Sequence, residues 1–283
     1  MVAVLSIQSH VAYGHVGNSS AVFPLQRLGI EVWPVHTVQF SNHTGYGEWR
    51  GQVFEGTSID QIVAGIGERG VLGGCDAVLS GYLGSADIGH AVASAVAAVR
   101  AANPDAVYCC DPVIGDVGRG VFVRPGIEEL LRDVAVPLAD LVTPNHFELD
   151  LLARTSTRTL AEVKDAVAAV QALGPRVVLT TSLVTDDTPE DAIDLLASQD
   201  GRHYRVRTPR LGVSVNGAGD AVAALFLAHW LDARSASHAL SGAAASVFGL
   251  LQATQDAGSR EVLLVAAQEE FVSPTHRFEV VEV

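Results

Sequence analysis

Short apolar runs of strand length alternate with amphipathic segments of helix length along almost the whole chain. The predicted strands are 2–6, 31–38, 77–80, 106–110, 141–143, 176–180, 193–197 and 204–207. The predicted helices are 17–28, 59–68, 87–101, 126–133, 147–153, 160–173, 217–231 and 235–251. Strands that are apolar on both faces and separated by helices are typical of a mostly parallel sheet covered by helices on both sides.

No linker, internal repeat or shift in composition divides the chain. Residues 1–283 are therefore predicted to form one α/β domain, with a central mostly parallel sheet flanked by helices on both faces. In such sheets ligands bind beyond the carboxyl ends of the strands. Polar residues that directly follow predicted strands are thus the candidates for function.

The charged residues exclude several classes of function. Eighteen Lys and Arg against 32 Asp and Glu give a net charge of −14, which makes nucleic acid an unlikely partner because basic side chains supply most of that affinity. Lys164 is the only lysine, and it falls inside a predicted helix. A P-loop, a protein-kinase fold and a pyridoxal-phosphate Schiff base each need a lysine at the ligand, so none of these is expected.

The sequence also predicts where the protein is found. The longest apolar segment, 221–231, is too short to span a bilayer, and the first residues lack the basic and apolar regions of a signal peptide. Cys109 and Cys110 are adjacent in an apolar run and Cys75 stands alone, which favours buried thiols over disulfides or a zinc site. We expect a cytoplasmic protein that does not bind membranes.

The strongest single motif is residues 216–220, which read Asn-Gly-Ala-Gly-Asp and precede an apolar helix. Glycines allow the backbone to approach a ligand, and the free amides of a helix N-terminus bind anions without a lysine. Asp220 lies in the first turn, where its carboxylate could accept a proton from an alcohol that attacks a phosphorus atom bound there. The alternative is an ordinary helix start in which Asp220 complements the helix dipole.

Further polar residues follow two other predicted strands. Asp111 and Asp116 come after one strand, and Thr143, Asn145 and Glu148 come after the next. Carboxylates close to a phosphate site repel the phosphate unless a cation intervenes, so an acidic nucleotide site implies Mg²⁺. The alternative is structural, with Asp111 in a turn before proline and Glu148 as a helix cap.

Taken together, these segments resemble the ribokinase-like superfamily and, within it, the pyridoxal kinases. The resemblance extends from Val4 to about Leu251. The Gly-x-Gly-Asp turn is typical of the whole superfamily, whereas Ser-Ile-Gln-Ser-His at 6–10 and Phe-Ser-Asn-His-Thr-Gly-Tyr at 40–46 are specific to pyridoxal kinases. The remaining matching segments are 14–18, 80–84, 110–113 and 143–148.

The resemblance implies ATP-dependent phosphorylation of the 5′-hydroxymethyl group of pyridoxal by a homodimeric enzyme. It implies that Asp220 is the base and that Gly217, Ala218 and Gly219 form the anion hole. The substrate would be bound by Ser9, His43, Thr44, Tyr82 and Asp220. The nucleotide would be bound by Asp111, Asp116, Thr143, Asn145, Glu148, Thr180, Thr181, Asn216, Gly217 and Gly219.

The same resemblance implies two cations and a mobile loop. Asp116 and Glu148 would arrange Mg²⁺, and Asp111, Thr143 and Thr180 fall where the family holds a monovalent cation such as K⁺. Residues 116–123 correspond to a flap over the active site. Ala218 stands where many relatives have threonine, so a hydroxyl near the γ-phosphate is missing.

Three other functions agree less well with the sequence. A hydroxymethylpyrimidine kinase shares the fold and the glycine turn, but the segment 40–44 counts against it. A non-catalytic vitamer-binding protein is disfavoured by the presence of Asp220 and Glu148. An NAD-dependent oxidoreductase needs a Gly-x-Gly-x-x-Gly motif after the first strand, where this chain has Gln8-Ser9-His10.

Overall fold

The protein is described by a computed structural model that covers residues 1–283. Ten strands form one sheet in the order β12-β11-β10-β9-β8-β5-β4-β1-β2-β3, and β6 and β7 form a separate hairpin. The strands are β1 Ala3–Tyr13, β2 Glu31–Asn42, β3 Gly51–Val53, β4 Ala77–Ser80, β5 Val107–Cys110, β6 Gly115–Asp116, β7 Gly120–Val121, β8 Leu141–Val142, β9 Val177–Leu183, β10 Ala192–Gln199, β11 Arg202–Pro209 and β12 Val281–Glu282.

The helices cover both faces of this sheet, as the sequence predicts. They are α1 Asn18–Arg27, α2 Gly56–Gly67, α3 Ala86–Ala102, α4 Ile127–Leu130, α5 Val136–Leu138, α6 His146–Ala153, α7 Leu160–Gln171, α8 Ala218–Ala233, α9 Ala236–Asp256 and α10 Glu269–Val272. A π-helical turn at Leu131–Ala135 joins α4 to α5. None of the helices combines the length and the apolar character needed to cross a membrane.

Two hydrophobic layers separate the sheet from its helices. One contains 35 buried residues and includes side chains of α2, α3, α6 and α7, and the other contains 33 and includes side chains of α1, α8 and α9. Successive residues of a strand point to opposite faces, so Val4 of β1 belongs to the second layer and Leu5 to the first. The continuously apolar strands of the sequence are therefore buried on both sides.

The sheet is parallel at its centre and antiparallel at its edges. Strands β2, β1, β4, β5, β8 and β9 pair in parallel, which confirms the predicted fold class. The regular alternation did not predict that β10 and β11 form an antiparallel hairpin. Only Asp200 and Gly201 separate them, both at positive φ, and two residues can close a hairpin but cannot form a crossover helix.

Candidate active site

The carboxyl ends of the parallel strands and the N-terminus of α8 surround one cavity of about 280 Å³. Ser9 lies near the end of β1, Tyr82 follows β4, and Asp111 follows β5. Thr143 follows β8, and Thr181 lies in β9. Parallel strands bring these distant segments to the same edge of the sheet.

Most of the residues predicted from the sequence line this main cavity. They are Ser9, His43, Thr44, Tyr82, Asp111, Asp116, Thr143, Asn145, Glu148, Thr181, Asn216, Gly217, Gly219 and Asp220. Ala218 and Thr180 do not line the main cavity. Thr180 is fully buried and its hydroxyl has no hydrogen-bond partner.

The backbone at the start of α8 depends on Gly217. This residue has φ +88 and caps the helix, a left-handed conformation that strains any residue with a side chain. Its carbonyl accepts a hydrogen bond from Ser20 Oγ at 2.8 Å, which holds the turn against α1. A Cβ atom at Gly219, in contrast, would meet no atom within 4 Å, so the first turn of α8 is open in front of its amides.

Asp220 follows these glycines in the first turn of the helix. Burial raises the pKa of Asp220 to about 6, although backbone hydrogen bonds from Gly17 and from its own amide oppose this shift. A pKa closer to neutrality makes the carboxylate a stronger proton acceptor than an exposed aspartate. The phosphoryl transfer that the resemblance implies has a loose transition state and does not require a raised pKa at Asp220. The raised pKa nevertheless favours Asp220 as the base.

Asp111 lies beneath the cavity in a largely enclosed position. Its side chain accepts a hydrogen bond from Thr143 Oγ1 at 2.8 Å. Burial, followed by the charges of Glu148 and Asp220, raises the pKa of Asp111 well above its usual range. A cation in this region would relieve that repulsion.

Glu148 and Asn145 form the capping box of α6, so Glu148 has the helix-capping role that the sequence suggested, in addition to lining the main cavity. Both oxygens of Glu148 are engaged: Oε1 accepts from the Ile114 amide at 2.9 Å and Oε2 from the Asn145 amide at 2.9 Å. Asn145 Nδ2 donates to the Gly115 carbonyl at 2.8 Å. Burial raises the pKa of Glu148 to about 7 against these hydrogen bonds. The cap therefore anchors the segment that leads into the β6–β7 hairpin at Ile114 and Gly115.

The side chains around the main cavity include oxygen donors that suit the two implied cations. No group of three or more His, Cys, Asp or Glu side chains is arranged to hold a metal ion by itself. Mg²⁺ commonly binds through one or two carboxylates together with substrate phosphates and water, and Asp116 and Glu148 can supply that number. The unpartnered hydroxyl of Thr180 and the repelled carboxylate of Asp111 are the kind of oxygen donors a monovalent cation needs. The residues present therefore fit both ions.

The other end of the main cavity is lined by the β1, β2 and β4 segments. Ser9 is buried, and its hydroxyl forms no side-chain hydrogen bond in the protein. Tyr82 is held by its backbone carbonyl, which accepts from the buried Thr37 Oγ1 at 2.9 Å. Val38 and Phe40 add apolar surface beside these groups, which suits a flat ring that carries a few polar atoms.

Sequence reasoning missed Glu261, which fixes the segment that contains His43 and Thr44. Glu261 Oε1 is 2.9 Å from His43 Nε2 and accepts from the Tyr46 hydroxyl at 2.7 Å, and Oε2 accepts from the His15 amide at 3.1 Å. Burial raises the pKa of Glu261, but these three donors outweigh it and leave the pKa lowered. No local motif marks Glu261, because its partners lie more than 200 residues away in the chain.

Arg119 was also missed, although the hairpin that carries it was predicted to be a flap. Arg119 is the only lysine or arginine that lines the main cavity. Its Nη1 donates to Asn216 Oδ1 at 3.2 Å, and its guanidinium lies 5.0 Å from the centre of the Phe122 ring. A charged residue in a glycine-rich loop carries little signal by itself in a sequence.

Comparison with known proteins gives consistent matches over the whole chain. Residues 69–264 match the family model described as phosphomethylpyrimidine kinase. Pyridoxal kinase PdxY of Granulibacter bethesdensis is 61% identical over 97% of this chain and 98% of its own length, and that of Rubrobacter xylanophilus is 57% identical over 98% and 96%. The solved pyridoxal kinase of Leishmania donovani with ADP and pyridoxine has a TM-score of 0.92 at 31% identity, over 99% of each chain.

Proposed function

Because this chain belongs to the phosphomethylpyrimidine kinase family and, within it, to the pyridoxal kinases, we infer that it phosphorylates pyridoxal at the expense of ATP. The acceptor is the 5′-hydroxymethyl group, and the products are pyridoxal 5′-phosphate and ADP. The observation that carries this function is the open, glycine-capped N-terminus of α8 with Asp220 in its first turn, which lines the same cavity as Ser9.

The reaction is a direct transfer between two bound substrates. The 5′-oxygen of pyridoxal forms a bond to the γ-phosphorus of ATP, and the bond from that phosphorus to the β–γ bridging oxygen breaks. ADP leaves with the electron pair, and Asp220 takes the proton of the hydroxyl. The amides at Gly217–Gly219 donate to the phosphoryl oxygens, where positioning and charge neutralisation lower the barrier.

The proposed substrate contacts follow the free polar groups of the main cavity. Ser9 and Thr44 hydrogen-bond the polar atoms of the pyridine ring, Tyr82 packs against the ring, and His43 lies beside them. On the nucleotide side, Asn216 and Thr181 contact ATP at the two walls of the main cavity. The support for these roles is that all six residues line one cavity while belonging to five separate segments of the chain.

We propose that Asp116 and Glu148 hold Mg²⁺ together with the phosphates, and that Asp111, Thr143 and Thr180 hold K⁺. These cations, when bound, supply the positive charge that neutralises the phosphates and the buried carboxylates. Asn145 keeps Glu148 in place through the capping box, so it contributes to the metal site by positioning.

The function is tested by incubating the protein with ATP, Mg²⁺ and pyridoxal and measuring pyridoxal 5′-phosphate by mass spectrometry. Pyridoxine and pyridoxamine are tested in parallel, since related structures hold each of them with ADP. Hydroxymethylpyrimidine is the control acceptor because of the name of the matching family model. Preferential phosphorylation of a vitamin B6 form is expected; phosphorylation of hydroxymethylpyrimidine alone would contradict the proposal.

We also propose that residues 1–283 act as one kinase domain, and that the enzyme is a cytoplasmic homodimer. The continuous sheet that runs from β3 to β12 supports the single domain. The three cysteines are free and buried, which suits a reducing compartment. Light scattering of the purified protein measures the mass in solution, and a mass of one chain would contradict the dimer.

A further inference from the structure

The main cavity has an unusual balance of charge for a site that receives a triphosphate. Four carboxylates line it: Asp111, Asp116, Glu148 and Asp220. Arg119 is the only lysine or arginine among its lining residues. Phosphoryl transfer is catalysed mainly by stabilising charge on the transferring group, so the one cationic side chain in the cavity is well suited to that task.

The position of Arg119 places its charge beside the anion hole. Its guanidinium donates to the side chain of Asn216, the residue directly before the glycine cap of α8. The ring of Phe122 lies under the guanidinium at 5.0 Å, a cation–π contact that orients the planar group. The guanidinium is exposed and has no carboxylate partner among the ion pairs of the structure, so its remaining donors are free for phosphate oxygens.

The hairpin that carries Arg119 is held in place at one end, whereas its tip has space to move. Glu148 holds the amides of Ile114 and Gly115 at the base. At the tip, Gly118 and Gly120 flank Arg119 with φ of +79 and +69, and a Cβ atom at either would meet nothing within 4 Å. The side chain can therefore reorient over the cavity without displacing Ile114 and Gly115, which anchor the hairpin.

We propose that Arg119 is a catalytic residue that exchanges Asn216 for the γ-phosphoryl group of ATP when the hairpin closes. Its N–H groups donate to the non-bridging oxygens of the phosphoryl group as it passes from the bridging oxygen of ADP to the 5′-oxygen of pyridoxal. The proton of that hydroxyl still goes to Asp220. This inference rests on the proposed kinase function and adds the residue that supplies mobile positive charge.

The test compares Arg119→Ala, Arg119→Lys and Arg119→Gln with the parent enzyme. Arg119→Ala is expected to lower kcat by about 10²–10³-fold, the usual loss for one donor to a transition-state oxyanion. Lys should restore only part of the rate because it lacks the planar fork, and Gln should restore less because it lacks the charge. The KM of pyridoxal should change by no more than about twofold, since the interaction strengthens in the transition state.

Two further measurements separate catalysis from a mere contact that closes the hairpin. First, added guanidinium ion should restore part of the rate that Arg119→Ala loses. Second, Arg119→Ala should reduce the affinity for a non-hydrolysable ATP analogue more than the affinity for ADP. Arg124→Ala is the control, because Arg124 is an exposed arginine next to the hairpin that does not line the cavity.

The outcomes distinguish this inference from the function on which it rests. An inactive parent enzyme would contradict the kinase function. An active parent with an unchanged kcat in Arg119→Ala would overturn the catalytic role alone. A reduced kcat with no guanidinium rescue and equal losses of ATP-analogue and ADP affinity would also overturn it. Unchanged thermal melting shows that Arg119→Ala is folded; if it is not, the Lys and Gln variants give the same comparison.

Discussion

Ser9 is a buried residue at the wall of the main cavity, and its hydroxyl forms no side-chain hydrogen bond in the protein. A bound pyridine ring can supply the missing partner. Ser9→Ala is therefore expected to raise the KM of pyridoxal by about three- to tenfold, the cost of one neutral hydrogen bond. The KM of ATP should stay unchanged. Ser94→Ala, on the surface of α3, is the matched control, and an unchanged pyridoxal KM would move the substrate pocket elsewhere.

Glu261 fixes the segment that contains His43 and Tyr46, at the end of the main cavity where we propose that pyridoxal binds. Glu261→Gln keeps the size of the side chain but weakens its hydrogen bonds, so the pyridoxal KM should rise while the ATP KM changes little. The free energy of unfolding should fall by about 1–3 kcal/mol, the usual cost of a weakened buried charge-assisted bond. Glu269→Gln, an exposed carboxylate paired with Arg27, is the control. Equal effects of Glu261→Gln and Glu269→Gln on the pyridoxal KM and on the free energy of unfolding would refute the positioning role of Glu261.

At this scale the sequence predicts the residues that stand in compact motifs and misses those that do not. Asp111 follows a strand, Asp220 lies in the first turn of a helix, and Ser9 belongs to the motif at 6–10, so these residues could be identified from the local sequence. The contacts of Glu261 and Arg119 involve partners that are distant in the sequence and are brought near only by the fold. A pattern of neighbouring residues cannot encode such long-range contacts.

The N-terminus of α8 depends on two glycines that have different physical roles. At Gly217 a Cβ atom would collide with the His15 carbonyl oxygen, and φ is +88, so Gly217→Ala should destabilise the protein by about 2 kcal/mol or more. At Gly219 the space is open and φ is not in the left-handed region. Gly219→Ala should fold normally but weaken ATP binding, because a methyl group enters the anion hole.

Urea unfolding and nucleotide affinity measured on both variants check this assignment. The pair serves as its own control, since the two variants add the same methyl group at positions only two residues apart. Normal stability of Gly217→Ala, or parental ATP affinity of Gly219→Ala, would contradict the description of the turn.

Strands β1 and β2 carry a stacked pair of histidines, His10 and His36, with ring centres 4.2 Å apart. Burial, followed by the charge of His10, lowers the pKa of His36 to about 4. Between that value and 6.5 the unfolded chain binds a proton that the folded chain excludes. The contribution of neutral His36 to the free energy of unfolding is therefore complete above about pH 6.5 and is lost as the pH falls towards 4.

His36→Gln should accordingly lose less stability on acidification than the parent. Denaturant unfolding at about pH 7.5 and about pH 5 measures the difference, which we expect to be about 1 kcal/mol after allowance for partial exposure. His90→Gln, at an exposed position of α3, should follow the parent. Equal losses of stability in the parent and in His36→Gln would contradict the claim that the folded protein keeps His36 unprotonated.

Element boundaries show where pattern reasoning fails in this fold. The continuous apolar run of β1 predicted a strand that ends at residue 6, but pairing with β2 extends it to Tyr13. Pairing partners, which the local sequence does not specify, supply the hydrogen bonds for those extra residues. The short strands β3 and β12 were missed for the same reason, since each pairs at an edge through only two or three residues.

At the scale of the whole molecule, the candidate site residues lie at the carboxyl ends of the parallel strands. Six parallel strands in the order β2-β1-β4-β5-β8-β9 bring residues between 9 and 181 to one edge, and α8 closes that edge from the far end of the chain. The alternating pattern predicted a mostly parallel sheet with polar residues after its strands, but it did not predict the order of the strands. The depth of burial, which raises the pKa of Asp220 and Glu148, could not be predicted without the packed helices.

The most direct test of the account is the single-turnover rate of pyridoxal phosphorylation in Asp220→Asn. The account predicts a rate about 10²–10⁴-fold below that of the parent, the usual loss for a positioned acid–base group, with the affinity for ATP unchanged. Asp232→Asn, at the exposed end of the same helix, should retain the parental rate. A near-parental rate in Asp220→Asn would contradict the assignment of this carboxylate as the proton acceptor.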